Sequence, residues 1–459
     1  MSAATSEPGA ALLTQGSIAR QVLTMAAPIA IGMVFQSLYF LVDLYFVGAL
    51  GDAAIAGVGA AGNLTFIVIA LTQVLAVGTV ALVAQALGRR DRADAQLVFN
   101  QSLSLAGVFT VGTLVGGYLL TPAYMRVFGA DAATAAAGAE YLRWYLPGLG
   151  LQFALVSMGA ALRGTGIVKP AIVVQILTVV VNAILAPILI AGWGTGRPMG
   201  VAGAGLASTL SILLGVIVLW RVFHRLEHDV AVERALLQPQ RATWARILRI
   251  GTPAGAEFLI MFVILAAIYV VIRPFGADAQ AGFGIGFRIN QVLFLPVMAI
   301  AFAAAPVAGQ NFGAQLHDRV RETFRFAAIM CSAVMLVMTA LCQWQAAPLV
   351  GVFTDDAEVI AVGRDFLQMI SWNYVASGLI FTCSGLFQAL GNTLPSLFSS
   401  FTRVITFVVP VMILARRRDF QLHDVWVLSV VTTALQAVVS LWLLRREFSR
   451  KLVCAAPSA

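Results

Sequence analysis

The sequence predicts an all-α membrane protein: twelve transmembrane helices forming two six-helix lobes around a central cleft. Three observations carry this expectation. Of 459 residues, 60% are hydrophobic and 11% charged, and the mean hydropathy is +0.90, whereas soluble domains carry about 25% charged residues. Apolar windows of the ~20 residues that a bilayer requires recur about twelve times between charged or Gly/Pro-rich connectors. One gap-free register also joins the two halves of the chain, with Pro28 matching Pro253, an offset of 253 − 28 = 225 residues.

The elements follow in order. Residues 1–16 are polar, with no basic start leading into a short apolar core and a cleavage site, so a loose cytoplasmic tail is expected there, not a signal peptide. The first lobe, 17–222, holds apolar spans at 22–48, 54–86, 97–120, 139–161, 168–192 and 200–222. A charged cytoplasmic linker, 223–243, leads to the second lobe, 244–450, with spans at 247–273, 280–308, 322–345, 362–388, 394–415 and 424–446. Residues 451–459 form a second cytoplasmic tail. Basic runs occupy alternate connectors: "GRRDR" (Gly88 to Arg92), the 223–243 linker, "HDRVRETFR" (His317 to Arg325) and "RREFSRK" (Arg445 to Lys451). The positive-inside rule then places both termini in the cytoplasm of a multi-pass protein of the cell (inner) membrane. "RRR" at Arg416 to Arg418 falls on the opposite side in this count.

The repeat is extensive. Gly51 matches Gly276, "AGVG" (Ala56 to Gly59) matches "AGFG" (Ala281 to Gly284), and Gln85 and Gly88 match Gln310 and Gly313. Asp131 matches Asp356, and Gly166 and Pro170 match Gly391 and Pro395. Six spans per repeat give both units the same orientation and a pseudo-two-fold axis along the membrane normal. Secondary transporters use this plan, with a site between the halves.

Other classes are disfavoured. The net charge of +8 is spread over short connectors, which does not suggest nucleic acid. The four cysteines include no CxxC pair. The only lysines, Lys169 and Lys451, precede Pro170 and Leu452, so no GxxxxGK[ST] phosphate loop is present and transport has to draw on an ion gradient. All four histidines lie in connectors; His224 and His228 have metal-ligand spacing but read as a solvated helix beside Glu227 and Asp229. Neither an enzyme, a metal site nor a bound cofactor is expected.

Acids within spans are the exceptions that matter, because a carboxylate at the bilayer centre costs about 2.5–3.5 kcal/mol on insertion scales. In "FQSLYFLVDLYFVGALGD", Gln36, Tyr39 and Asp43 stand at i, i+3 and i+7, on one helical face. Gln175, Thr178 and Asn182 repeat that spacing in the fifth span. Such polar stripes face a bundle interior or a watery cavity. Asp43 is the expected ion-coupling group, exchanging a proton or Na⁺ against a cation, and the other five are expected to line the cavity. Glu257, in the seventh span, is a second candidate, with Arg288 and Arg403 as the basic partners on offer.

With those residues in view, "AAP" (Ala26 to Pro28), "DLYFVGALGDAAIAGVG" (Asp43 to Gly59), "VAQALGRRD" (Val83 to Asp91), "LRGTGIVKP" (Leu162 to Pro170), "NAILAP" (Asn182 to Pro187), "GVAGAGLAS" (Gly200 to Ser208) and "VAGQNFGA" (Val307 to Ala314) form an ordered set. The set resembles the multidrug and toxic compound extrusion (MATE) family, DinF-like branch, across almost the whole chain. The resemblance implies alternating access and export of cationic or amphipathic drugs and toxic metabolites against H⁺ or Na⁺. It also implies that Asp43 is the coupling acid, with Tyr39 and Asn182 as its cavity partners. Two departures bear on the ion. Family members often read N-x-x-L-D-P where this chain has "NAILAP", with Ala186 replacing the second acid, and Phe366 to Arg418 contains no acid at all. Glu257 stands about one turn earlier than the span-seven glutamate of the NorM-like branch. The expectation is therefore a monomeric, proton-coupled exporter of small molecules. Na⁺ coupling and a lipid-linked or anionic cargo are the alternatives, and a non-transporting scaffold or channel is least favoured.

Overall fold

The computed structural model describes residues 13–128, 131–194, 196–225 and 230–452, and of residues 39–44, 63 and 128 the backbone alone. The expected tails at 1–12 and 453–459, and linker residues 226–229 with His228, lie outside the described residues. The regular elements are helices throughout: α1 (Ile18–Gly48), α2 (Asp52–Gly88), α3 (Arg92–Phe128), α4 (Ala132–Thr165), α5 (Lys169–Ile190), α6 (Val201–Arg225) and α7 (Arg241–Ile272), then α8 (Ala277–Gly313), α9 (His317–Gly351), α10 (Ala357–Ile370), α11 (Tyr374–Ala389), α12 (Leu394–Arg403), α13 (Val409–Leu414) and α14 (Leu422–Lys451). Among the described residues, eleven helical stretches are long and apolar enough to cross a membrane.

The tenth expected span, 362–388, is broken. The turn Ser371–Asn373 divides it into α10 and α11. Gln343 of α9 supports the break, its Nε2 donating to Gln368 O at 2.7 Å and to Ser371 Oγ at 2.8 Å. Thr339 Oγ1 donates to Ser371 O at 2.9 Å. A side-chain amide thus takes up the carbonyl that the helix releases, which makes non-helical backbone tolerable where water is scarce. The eleventh span is interrupted differently. A π turn, Val404–Val408, joins α12 to α13. Pro410 follows in the first turn of α13, where its ring cannot sit against the carbonyl of residue 406 in ordinary α geometry, and the wider turn relieves that clash.

The 225-residue repeat extends to backbone detail. Gly51 and Gly276 precede α2 and α8 with φ of 101° and 98°, a conformation that glycine alone adopts without strain. Arg90 and Gln315, at φ 61° and 60°, close the same two helices. Asp131 and Asp356 cap α4 and α10, each carboxylate accepting backbone amides of the first turn.

The chain falls into two compact units, one of Ile31–Gly251 and one of Leu13–Ala30 with Thr252–Ala459. The divisions come within a few residues of Pro28 and Pro253, so α1 and α7 each contribute to both units. Leu13–Gly16, assigned from sequence to a loose tail, are pinned to the second unit. Leu13 N donates to Gln310 Oε1 at 2.9 Å, Asn311 Nδ2 to Leu13 O at 3.0 Å, and an Arg319 Nη to Gly16 O at 3.0 Å. The described part of the linker is pinned within the first unit by two fully buried residues of α3, Asn100 and Gln101. Asn100 Nδ2 donates to Ala231 O at 2.8 Å and its Oδ1 accepts from Glu233 N at 2.9 Å. Gln101 Nε2 donates to Leu236 O and Gln238 O at 2.5 and 2.7 Å, and its Oε1 accepts from Gln240 N at 2.8 Å.

Candidate substrate and coupling site

In the first unit, α1, α5 and α6 carry a polar track through apolar helices. Gly32 of α1 faces α5 so closely that a Cβ there would lie 2.9 Å from Gln175 Oε1. The missing side chain lets Gln175 Nε2 donate to Gln36 Oε1 at 3.0 Å. The predicted stripes on α1 and α5 therefore meet. One turn on, Thr178 is buried and returns its hydroxyl to Gln175 O at 2.7 Å. Asn182 is fully buried and its Nδ2 donates to Ser208 Oγ of α6 at 3.3 Å. The side chains of Tyr39 and Asp43 lie outside the described residues. Their backbone continues α1 without a break, so Asp43 stands two turns beyond Gln36 in the same helical register.

The second unit holds Glu257, on α7 one turn past Pro253. Sequence offered Arg288 or Arg403 as its partner, and the geometry gives it neither. Its carboxylate accepts from Ser396 Oγ at 3.1 Å (Oε1) and 3.0 Å (Oε2), from Ser400 Oγ at 3.0 Å and from Ser384 Oγ at 3.4 Å. Ser396 and Ser400 stand at i, i+4 on α12, and Ser384 comes from α11. All three serines are buried. Gln436 Nε2 of α14 donates in turn to Ser400 Oγ at 3.4 Å. Among the described residues no cation pairs with Glu257. Neutral dipoles therefore surround this carboxyl group where a buried charge would ordinarily need a counter-ion. Hydroxyls both donate and accept, so the same cage fits the carboxylate and the protonated acid.

Arg403 closes α12, where its Nη2 donates to Ser429 Oγ at 3.3 Å while its Nε is buried without a hydrogen-bond partner. Arg288 is exposed on α8. Neither makes an ion pair among the described residues. Ser208 and the three serines around Glu257 were missed from sequence. Serine is ordinary in membrane helices, and only the i, i+4 pair Ser396/Ser400 leaves a local trace.

A repeated, all-helical, membrane-spanning frame, with polar tracks and a carboxylate lacking a counter-charge inside its helices, is the frame of a membrane transporter and not of an enzyme. Comparison with known proteins identifies the group. The MatE family model matches residues 28–188 and again 253–414, starting each time at one of the two repeated prolines, and the chain belongs to that family. It is 26% identical to the probable multidrug resistance protein YpnP of Bacillus subtilis, over 83% of this chain and 84% of that one. Its identity to the FAD transporter of Shewanella oneidensis is 24%, over 89% and 90%. Among solved structures, a MOP superfamily transporter from Pyrococcus furiosus, described as having a binding pocket of reversed polarity, superposes with a TM-score of 0.89 at 25% identity, covering 97% of this chain and 99% of that one.

Proposed function

We infer that this chain exports cationic or amphipathic small molecules, drugs and toxic metabolites among them, by alternating access in exchange for protons. Asp43 is the coupling acid and Gln36, Tyr39, Gln175, Thr178 and Asn182 are its polar surroundings. Glu257 is a second acid able to take part. The observation that carries the reading is the joining of Gln36 to Gln175, two turns before Asp43 in the same helical register, which supplies a hydrogen-bonding track in an otherwise apolar helix. Such a carboxylate can hold a proton or an organic cation in turn, and differential binding of the two in two states of the protein is all that exchange requires. The multidrug names of the relatives support the cargo class. The dispersed basic connectors support cytoplasmic termini in the inner membrane, and the protein is read as a monomer.

A second reading has its own observation. Arg403, unpaired by any acid among the described residues and with a free Nε, suits an anionic cargo, and one relative is an FAD transporter. Transport of ethidium into inverted vesicles, under separately imposed pH and Na⁺ gradients, tests both readings. The exchange account expects proton-driven transport that Asp43→Asn abolishes. Coupled transport at the full rate in Asp43→Asn removes the account, a strict Na⁺ requirement replaces the ion, and transport of a flavin nucleotide but not ethidium favours the second cargo.

A further inference from the structure

We propose that the groove between the start of α12 and the end of α14 binds the phosphate headgroup of an anionic phospholipid. The groove encloses about 420 Å³ and is lined by Leu394, Phe398, Trp442, Arg446, Glu447 and Arg450 among others. Trp442, Arg446 and Arg450 stand at i, i+4 and i+8, one stripe along α14. Over the ~12 Å from Trp442 to Arg450, at 1.5 Å per residue, this stripe passes from an indole to two guanidinium groups. On the facing helix, Leu394 and Phe398, again at i, i+4, are 57% and 62% exposed, and Trp442 is 58% exposed. The groove thus joins an exposed apolar wall to two guanidinium groups, the two chemistries that a lipid presents in its chains and its phosphate.

The charges of the groove favour an anion. Glu447 is its one acid, and it is buried and already engaged, accepting from Lys451 Nζ at 3.0 Å and from Asn392 Nδ2 at 2.9 Å. Arg446 and Arg450 are exposed and pair with no carboxylate among the described residues. The Arg446 guanidinium lies 5.7 Å from the Trp442 ring centroid, which leaves its outward N–H groups free for a phosphate while its inner face rests on the indole. A soluble phosphate has no use for the exposed aromatic wall. An acyl chain does, and juxtamembrane arginines attract anionic headgroups specifically.

The internal repeat supplies a control. Arg446 − 225 and Arg450 − 225 are Arg221 and Arg225, the same charges at the end of α6, but Ile217, Val173 and Lys169 stand where the groove has Trp442, Phe398 and Leu394. The two arginines are duplicated and a lysine is added, but the aromatic cleft is not repeated. The proposal rests on the chain being a membrane protein and is independent of the exchange mechanism.

Native mass spectrometry of the full-length protein in detergent, with phosphatidylglycerol and phosphatidylcholine of identical chains, tests it. The wild type is expected to retain phosphatidylglycerol about tenfold or more over phosphatidylcholine, in line with the attraction each arginine exerts at an anionic surface. Arg446→Gln/Arg450→Gln abolishes that preference, Arg446→Lys/Arg450→Lys keeps part of it, and Arg221→Gln/Arg225→Gln leaves it within about twofold. Trp442→Ala lowers retention with both arginines in place, so the test survives should the glutamine pair fold poorly. Millimolar inorganic phosphate does not displace the lipid. Retained preference in the glutamine pair, equal loss in the Arg221/Arg225 pair, or displacement by phosphate overturns the proposal.

Discussion

Gln101→Met tests how firmly the linker belongs to the first unit. The substitution keeps the length and nearly the volume of the side chain, while deleting its three bonds to Leu236 O, Gln238 O and Gln240 N. Gln238 and Gln240 are exposed and Leu236 partly so. Water therefore replaces the lost partners, and each bond counts at its net worth of about 0.5–1.5 kcal/mol, not at the larger cost of a buried orphan. Three bonds from one side chain then amount to about 3 kcal/mol, roughly a hundredfold in the equilibrium between pinned and open linker. Trypsin cleavage after Arg234 and Arg241 reads that equilibrium when opening is fast relative to cutting. Cleavage is expected to accelerate by about two orders of magnitude, with loss of exchange protection at the Gln240 amide and an unchanged global melting midpoint. An acceleration below about threefold would refute the reasoning, because it would mean that the buried amide contributes almost nothing to holding the segment.

Two further outcomes follow from packing and capping. A Cβ on Gly251 would lie 1.9 Å from Val74 O, against backbone, so Gly251→Ala is expected to cost about 1–3 kcal/mol and to lower the melting midpoint in detergent, whereas Gly107→Ala, where a Cβ meets nothing within 4 Å, leaves it unchanged or raised. The amide of Thr134, donating at 2.7 Å, holds the Asp131 carboxyl below the usual carboxylate range. A lowered folded-state value means that the cap is intact above the unfolded value near 4 and is lost as pH falls through the folded one. The protection of the Thr134 amide, relative to its intrinsic exchange rate at each pH, should therefore be flat above pH 5 and fall only well below pH 4.

Much of this molecule is legible in its sequence, and the failures have identifiable causes. Apolar run length reports the helices because a bilayer demands it. The 225-residue register is visible because its markers, Gly51/Gly276 and Asp131/Asp356, are the positions whose backbone geometry admits few residue types. The paired stripes Gln36 and Gln175 could be read from periodicity, and they meet. The cage of Glu257 could not. It draws serines from α11 and α12 that lie 127 to 143 residues from Glu257 in sequence, and charge alone points to Arg288 and Arg403 where hydroxyl dipoles are the partners. The break at Ser371–Asn373 was likewise invisible, because neither Gly nor Pro marks it and its support, Gln343, comes from another helix. The tethering of Leu13–Gly16 was missed for the same reason, its partners Gln310 and Arg319 lying some 300 residues away in sequence.

In the proposed exchange one membrane carboxylate gives up a proton when cargo binds. Proton release from purified protein in weakly buffered detergent, on addition of saturating tetraphenylphosphonium at pH 6, measures that step without vesicles or gradients. About one proton is expected per cation bound, with near-complete loss of the release in Asp43→Asn and partial loss at most in Glu257→Gln. Cation binding with no proton release in the wild type, or undiminished release in Asp43→Asn, would contradict that exchange.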